Sequence, residues 1–244
     1  MKIHHLVHSC LLVEIAGRRL LIDPGSFSGD AVRALDLEIL SGIDAVAITH
    51  QHPDHLDRAL LGQVLAASPQ AVVIAEPETA QQLAEDSEEA PGVGSDRLLP
   101  LAAGSAHEFA PVDTDDALRI TAAGGHHAII HPDIPRVGNI GLVISAGDGP
   151  RLGVTGDSLQ PLQEFHGIDA LAFAVVAPWS KMSETIDFLR AVRPRLALPV
   201  HDAVASEVGR PIYLRQATNL ASEGTEVRDW PADGVVRLRA EQSA

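Results

Sequence analysis

The hexapeptide His50-Gln51-His52-Pro53-Asp54-His55 constrains this chain more than any other segment, because it follows directly on a short apolar, β-branched run at residues 44–49 (DAVAIT). Such a run reads as a buried strand. Its abrupt end at three imidazoles and a carboxylate puts chemically competent side chains on a loop at the strand's C-terminal end. On an extended loop, side chains two apart point the same way, so His50 and His52 can bind one metal from one side. Pro53 enforces a turn, after which Asp54 and His55 can address a second ion. Capping of a following helix by Asp54 would explain one residue and leave the three imidazoles unexplained.

Strand and helix signals alternate around this segment. Residues 11–15 and 19–22 form an expected hairpin across Ala16-Gly17-Arg18-Arg19, ending at Asp23-Pro24-Gly25. Pro53 is well placed to begin a helix over residues 54–67, with Leu56, Leu60, Leu61, Val64 and Leu65 on its apolar face. A strand at 71–75 follows. Residues 76–96 hold acids and no base, read as a solvated face with a surface helix over 77–89 and a loop at Pro91-Gly92-Val93-Gly94. In the second half, strands are expected at 118–122, 141–145, 151–155, 170–176 and 196–199, with a helix over 183–192. The recurrence, without a residue-level repeat or a linker, predicts one α/β domain over residues 1–244 built from two related halves.

Composition narrows the function. With 33 acidic against 18 basic side chains the net charge is −15, which argues against a nucleic-acid partner. Five Phe, two Trp and one Tyr leave the core aliphatic and supply no stacking platform for bases. Cys10, the sole cysteine, excludes an intrachain disulfide framework and a cysteine-based zinc cluster, and fits a reducing compartment. The first residues lack the pattern of a signal peptide, and the longest smooth apolar run, residues 170–179, falls short of the roughly 20 a membrane span needs. A cytoplasmic protein with no membrane partner is the expectation, and a homo-oligomer is compatible with it.

Five motifs in order resemble those of the metallo-β-lactamase superfamily of metal-dependent hydrolases. They are Leu21-Ile22-Asp23-Pro24, the His50 to His55 segment, Gly125-His126-His127-Ala128, Thr155-Gly156-Asp157-Ser158 and Pro199-Val200-His201-Asp202. The resemblance covers most of the chain and implies a four-layer αββα sandwich with the active site at one edge of its two sheets. It also implies that His50, His52 and His127 hold a first metal, that Asp54, His55 and His201 hold a second, and that Asp157 bridges them, with Asp23 supporting the metal loop. His126 and His127 point to opposite sides of an extended chain, so only one ligates easily. His127 is preferred because it leaves His131, four residues on, as a pocket residue. His8-Ser9-Cys10 is similar to the branch related to ascorbate-6-phosphate lactonase, where an N-terminal histidine approaches the metal edge; His8 is thus a pocket candidate or a hydrogen-bonded histidine at a strand start.

The implied activity is hydrolysis. Two divalent ions, zinc with manganese or iron as alternatives, would leave a local charge of about +2 against Asp54 and Asp157, attractive to an anionic small molecule. A bridging hydroxide would attack a lactone, ester or phosphoester, with Asp54, Asp157 and His201 as the catalytic set. Trp179, Lys181, Arg136 and Asn139 are pocket candidates, each with an ordinary packing or solvated alternative. Rival readings are a binding or regulatory protein of the same fold without turnover, and a di-iron oxidoreductase.

Overall fold

A computed structural model describes residues 1–86, 92–112 and 114–239. In chain order the elements are β1 (Lys2–Val7), β2 (Cys10–Ile15), β3 (Arg18–Ile22), α1 (Gly29–Arg33), α2 (Leu37–Leu40), β4 (Ala45–Ile48), α3 (Arg58–Ala67), β5 (Val72–Ala75), α4 (Pro77–Glu85) and β6 (Leu98–Pro100). They continue with β7 (Ala106–Phe109), β8 (Leu118–Gly124), β9 (Ile140–Ala146), β10 (Leu152–Val154), β11 (Ala170–Ala174), α5 (Met182–Val192), β12 (Leu196–Val200), α6 (Arg210–Leu220), β13 (Glu226–Val227) and β14 (Val235–Arg237). Two seven-stranded sheets result, ordered β14-β1-β2-β3-β4-β5-β6 and β13-β12-β11-β10-β9-β8-β7. Both are mixed: β3 to β6 run parallel in the first and β10 to β13 in the second.

Alternation along the strands builds the layers. In β4, Ala45 and Ala47 face the other sheet, where they join Leu20, Ile22, Ile120, Leu142, Leu152 and Leu198 in the central core. Val46 and Ile48 point the opposite way, onto Leu60, Leu61, Val64 and Leu65 of α3. On the far face of the second sheet, Leu171, Phe173 and Ala197 pack against Phe188, Leu189 and Val192 of α5. Helix, sheet, sheet and helix are thus stacked, the αββα sandwich the sequence implied.

Local chemistry sets the helix starts. Helix α3 begins at Arg58, later than the expected 54, because the Asp57 side chain accepts from Leu60 N at 2.9 Å and caps it, while the preceding residues form a separate turn in which His52 O accepts from His55 N and Leu56 N. Helix α4 starts at Pro77, with the Glu76 carboxylate accepting from Thr79 N, and ends at Glu85; residues 87–89 and Pro91 of the expected helix and loop lie outside the described residues. Strands β1, β6, β7, β13 and β14 and helix α6 were not anticipated. Among the described residues no helix is long and apolar enough to cross a membrane.

Candidate metal centre

The loops that leave β3, β4, β8, β10 and β12 meet the β1–β2 turn at one edge of the sandwich. They bring together two groups of potential ligands: His50, His52, His127 and Asp157 in one, and His8, Asp54, His55 and His201 in the other, the donor atoms of each lying within 4.8 Å of one another. Asp157 faces both groups. Its Oδ1 is 3.0 Å from His55 Nε2, and its Oδ2 is 3.2 Å from His127 Nε2 and 3.2 Å from His201 Nε2. Asp54 Oδ2 stands 3.5 Å from His201 Nε2 and 3.2 Å from His8 Nε2.

The outward nitrogens of these rings show what the inward ones can do. Thr49 Oγ1 gives its proton to Asp23 Oδ2 at 2.8 Å, so it is an acceptor for His50 Nδ1 at 3.1 Å. His55 Nδ1 donates to Asp23 Oδ2 at 2.8 Å, His127 Nδ1 to Ala128 O at 2.6 Å, and His201 Nδ1 to Val176 O at 2.9 Å. Four imidazoles thereby spend Nδ1–H on an oxygen and turn Nε2 toward the two aspartates, the arrangement a cation needs. Among the described residues His55 Nε2, His201 Nε2 and Asp157 Oδ1 are buried without a hydrogen-bond partner; the 3.0 Å approach of His55 to Asp157 lacks hydrogen-bond geometry. Buried polar atoms left in this way are costly, and a divalent ion would satisfy all three.

His8 is the opposite case. Its Nδ1 accepts from the backbone N–H of Ala203 at 3.2 Å, and a backbone amide can only donate. The ring proton therefore sits on Nε2, which donates to Asp54 Oδ2. His8 lies among the second group in space, yet its tautomer makes it a support for Asp54 and unsuited to ligation.

Electrostatics follow from burial and charge. Burial pulls the His50 imidazole well below its ordinary value and lowers that of His52 and His8. Burial also disfavours the His55 imidazolium, but the Asp157 and Asp23 carboxylates outweigh it and raise His55 well above the usual range. His201, likewise desolvated, is raised to about 9 by the adjacent Asp157 and Asp54 carboxylates. Both aspartates are desolvated as well, and the surrounding imidazoles nevertheless hold them far below the ordinary carboxylate range. In the metal-free protein, protons on His55 and His201 thus occupy the place of positive charge.

Backbone placement is tight. His8, Asp23 and His201 adopt left-handed conformations (φ 60°, 47° and 62°), which cost on the order of 1 kcal/mol each and mark a tightly determined site. A Cβ on Gly25 would come within 1.8 Å of Asp54 O, so only glycine lets the chain pass under the histidine loop. Asn139 Oδ1 accepts from Asp157 N at 2.9 Å and its Nδ2 donates to Thr155 O at 3.3 Å, holding the Asp157 loop.

The structure sorts the remaining expected residues. Trp179 Nε1 donates to Asp157 Oδ2 at 2.8 Å. His127 is buried in the cluster, while His126 is exposed and lines a neighbouring cavity. His131 does not reach a pocket: its ring is exposed and its Nδ1 accepts from Asp133 N, closing a local turn. Nor does Lys181, an exposed residue at the start of α5 whose backbone N donates to Glu184 Oε2. Sequence reasoning missed Thr49 and Ala203. The first sits next to the motif, whereas the second touches His8 across 195 positions of chain, with no local signal.

A two-sheet αββα sandwich carrying paired His/Asp clusters able to bind metal at its strand edge is a metallo-β-lactamase fold. The comparisons agree: a family model described as beta-lactamase superfamily domain matches residues 2–201, and the chain belongs to that family. Protein Rv0786c of Mycobacterium tuberculosis is 40% identical over 230 residues, 93% of this chain and 96% of its own. A UPF0173 metal-dependent hydrolase of Aeropyrum pernix is 32% identical over 98 residues, 40% of this chain and 39% of its own. Among solved structures, Igni18, a metallo hydrolase from the hyperthermophilic archaeon Ignicoccus hospitalis, superposes with a TM-score of 0.67 at 17% identity, covering 96% of this chain and 97% of that one.

Proposed function

We propose that the chain acts as one hydrolase domain holding two divalent ions, and that it cleaves a lactone, ester or phosphoester of a small molecule. The supporting observation is the set of four imidazoles whose Nδ1–H groups are committed to oxygens, so that Nε2 converges on Asp54 and Asp157. In this reading His50, His52 and His127 hold one ion, Asp54, His55 and His201 the other, and Asp157, which faces both groups, is shared. Bound ions, zinc or alternatively manganese or iron, would ionise water near neutral pH and polarise the attacked oxygen.

The protein's own groups do the rest. Asp23 and Thr49 fix the tautomers of His55 and His50, Asn139 and Trp179 hold Asp157, and His8 holds Asp54 through Nε2–H. With a charge of −15 outside and a cationic centre within, the partner is a small molecule and not a nucleic acid, and the work is done in the cytoplasm.

The test is metal analysis with a hydrolysis screen on the same samples. Purified protein is expected to carry about two ions per chain, with activity on at least one of the three ester classes that vanishes with a chelator and returns with metal. Asp157→Ala is expected to lose both. A chain that stays empty after reconstitution with zinc, manganese and iron, or an Asp157→Ala variant that keeps both ions, would refute the reading.

A further inference from the structure

Beside the cluster opens a cavity of about 520 Å³, within the size range of small-molecule sites. It is contiguous with the candidate metal centre, since His126 and Ala128 flank His127, Ser158 follows Asp157, and Trp179 donates to Asp157 Oδ2. Its lining includes the apolar Ala128, Ile129, Leu159 and Trp179 and the charged Arg136 and Glu184.

The loop that forms the mouth is well anchored. Ala128 N donates to Asp157 O at 2.7 Å, His127 N donates to Val137 O at 3.1 Å, and Arg136 Nε donates to His127 O. Yet this loop exposes three isoleucines, Ile129, Ile130 and Ile134, with Ile129 64% accessible. Ile129 lines the cavity, and an exposed large apolar side chain there, on a loop that exposes two more, suits an apolar ligand.

Arg136 supplies the charge. Its Nε is committed to His127 O, which fixes the guanidinium, and among the described residues no carboxylate pairs with it. Among the described residues it is the one permanent cation of the lining, on a protein of net charge −15, with its remaining donors free for a bidentate contact. Glu184 is engaged in accepting from Lys181 N at 2.9 Å, and its charge disfavours an anion beside it, so the anionic end of a ligand is directed to Arg136.

We infer that this cavity binds a small anion with an apolar tail, an acyl or aryl group seated against Ile129, Leu159 and Trp179 with its carboxylate or phosphate paired to Arg136. The inference rests on the hydrolytic reading of the adjoining centre and names the substrate class of that site: an apolar-tailed anionic ester or lactone.

Calorimetric binding of 4-phenylbutanoate and its neutral amide to the metal-loaded protein tests it. Wild type is expected to bind the acid about tenfold or more tightly than the amide. Arg136→Gln should abolish that preference, and Arg136→Lys, which keeps the charge, should retain most of it. Ile129→Ser should weaken acid and amide alike by about fivefold. An acid preference undiminished in Arg136→Gln would assign the anion to the metals and overturn the proposal, as would acetate binding as tightly as phenylbutanoate. The readout needs no turnover, and metal content measured on each sample separates failure of this inference from failure of the hydrolase reading.

Discussion

Asp23→Asn is the sharpest probe of how the site is organised, because it changes one buried atom and leaves the shape intact. Asparagine tolerates the left-handed backbone (φ 47°) as readily as aspartate, so no strain is added. The carboxylate accepts three hydrogen bonds, Oδ1 from Thr49 N and Oδ2 from both Thr49 Oγ1 and His55 Nδ1, each at 2.8 Å. An amide has one oxygen. If it stays on Thr49 N, the NH₂ group faces His55 Nδ1–H, and the ring escapes only by shifting its proton to Nε2, the nitrogen that must be bare to ligate. If the amide flips, NH₂ faces the Thr49 N–H, which cannot change its role. Either way one buried donor is left unmatched, at about 1–3 kcal/mol. That range agrees with the roughly 10–100-fold loss of metal affinity found when a ligand's outer partner is removed. Competition against a chromophoric chelator, titrating zinc into metal-free protein, reads this directly. The step that fills the group holding His55 should fall by that factor. Wild-type affinity for both ions in Asp23→Asn would refute the assignment of Asp23 as the residue that fixes the His55 tautomer.

Three further outcomes are expected. His8→Asn, which also suits a φ of 60°, should keep about two ions per chain by elemental analysis because His8 is a donor, whereas His201→Asn should lose one; loss of an ion from His8→Asn would make His8 a ligand. Zinc loading at pH 7.5 should expel about two protons from His55 and His201, beyond those from bound water, because both imidazoles are raised and hence charged in the metal-free protein. Above pH 9 the His201 proton is already gone, so the release measured with an indicator dye should fall; a release that does not change with pH counts against this. Gly25→Ala sets a Cβ within 1.8 Å of Asp54 O and 2.5 Å of His55 N, and should lower stability by about 3 kcal/mol in urea unfolding and deplete metal; an unchanged midpoint would show that the loop yields freely.

What the sequence displays are the parts written in consecutive residues. The run at 44–49 and the histidine loop after it need no tertiary context, and neither do the apolar strands at 170–176 and 196–199, which the structure forms as β11 (Ala170–Ala174) and β12 (Leu196–Val200). Helix α6 escaped because Ala217 alone of its residues is buried, so it carries no apolar stripe to read. Strand β13 has two residues, and β14 is defined only by its antiparallel register with β1, Lys2 opposite Arg237. The two misplaced pocket residues fail for a related reason. Spacing set His131 and Lys181 near the motifs, but a turn closed by Asp133 N and the first turn of α5 decide where their backbones go.

The roles of the histidines are a deeper case. His8 and His55 are the same residue type, both buried at one edge and both within reach of Asp54; the motif around His55 marks it as a ligand, but nothing next to His8 in the chain fixes its role. What separates them is the partner of Nδ1: a carboxylate acceptor for His55, held by a left-handed Asp23 at the end of β3, and a backbone donor for His8, supplied by Ala203 after β12. Reversing one hydrogen bond turns a lone pair that can hold a cation into an N–H that can only steady a ligand. The residues of the centre are therefore legible in the chain, but their division into ligands and supports is set by the packing of the two sheets, which brings a backbone amide on one loop against a ring on another.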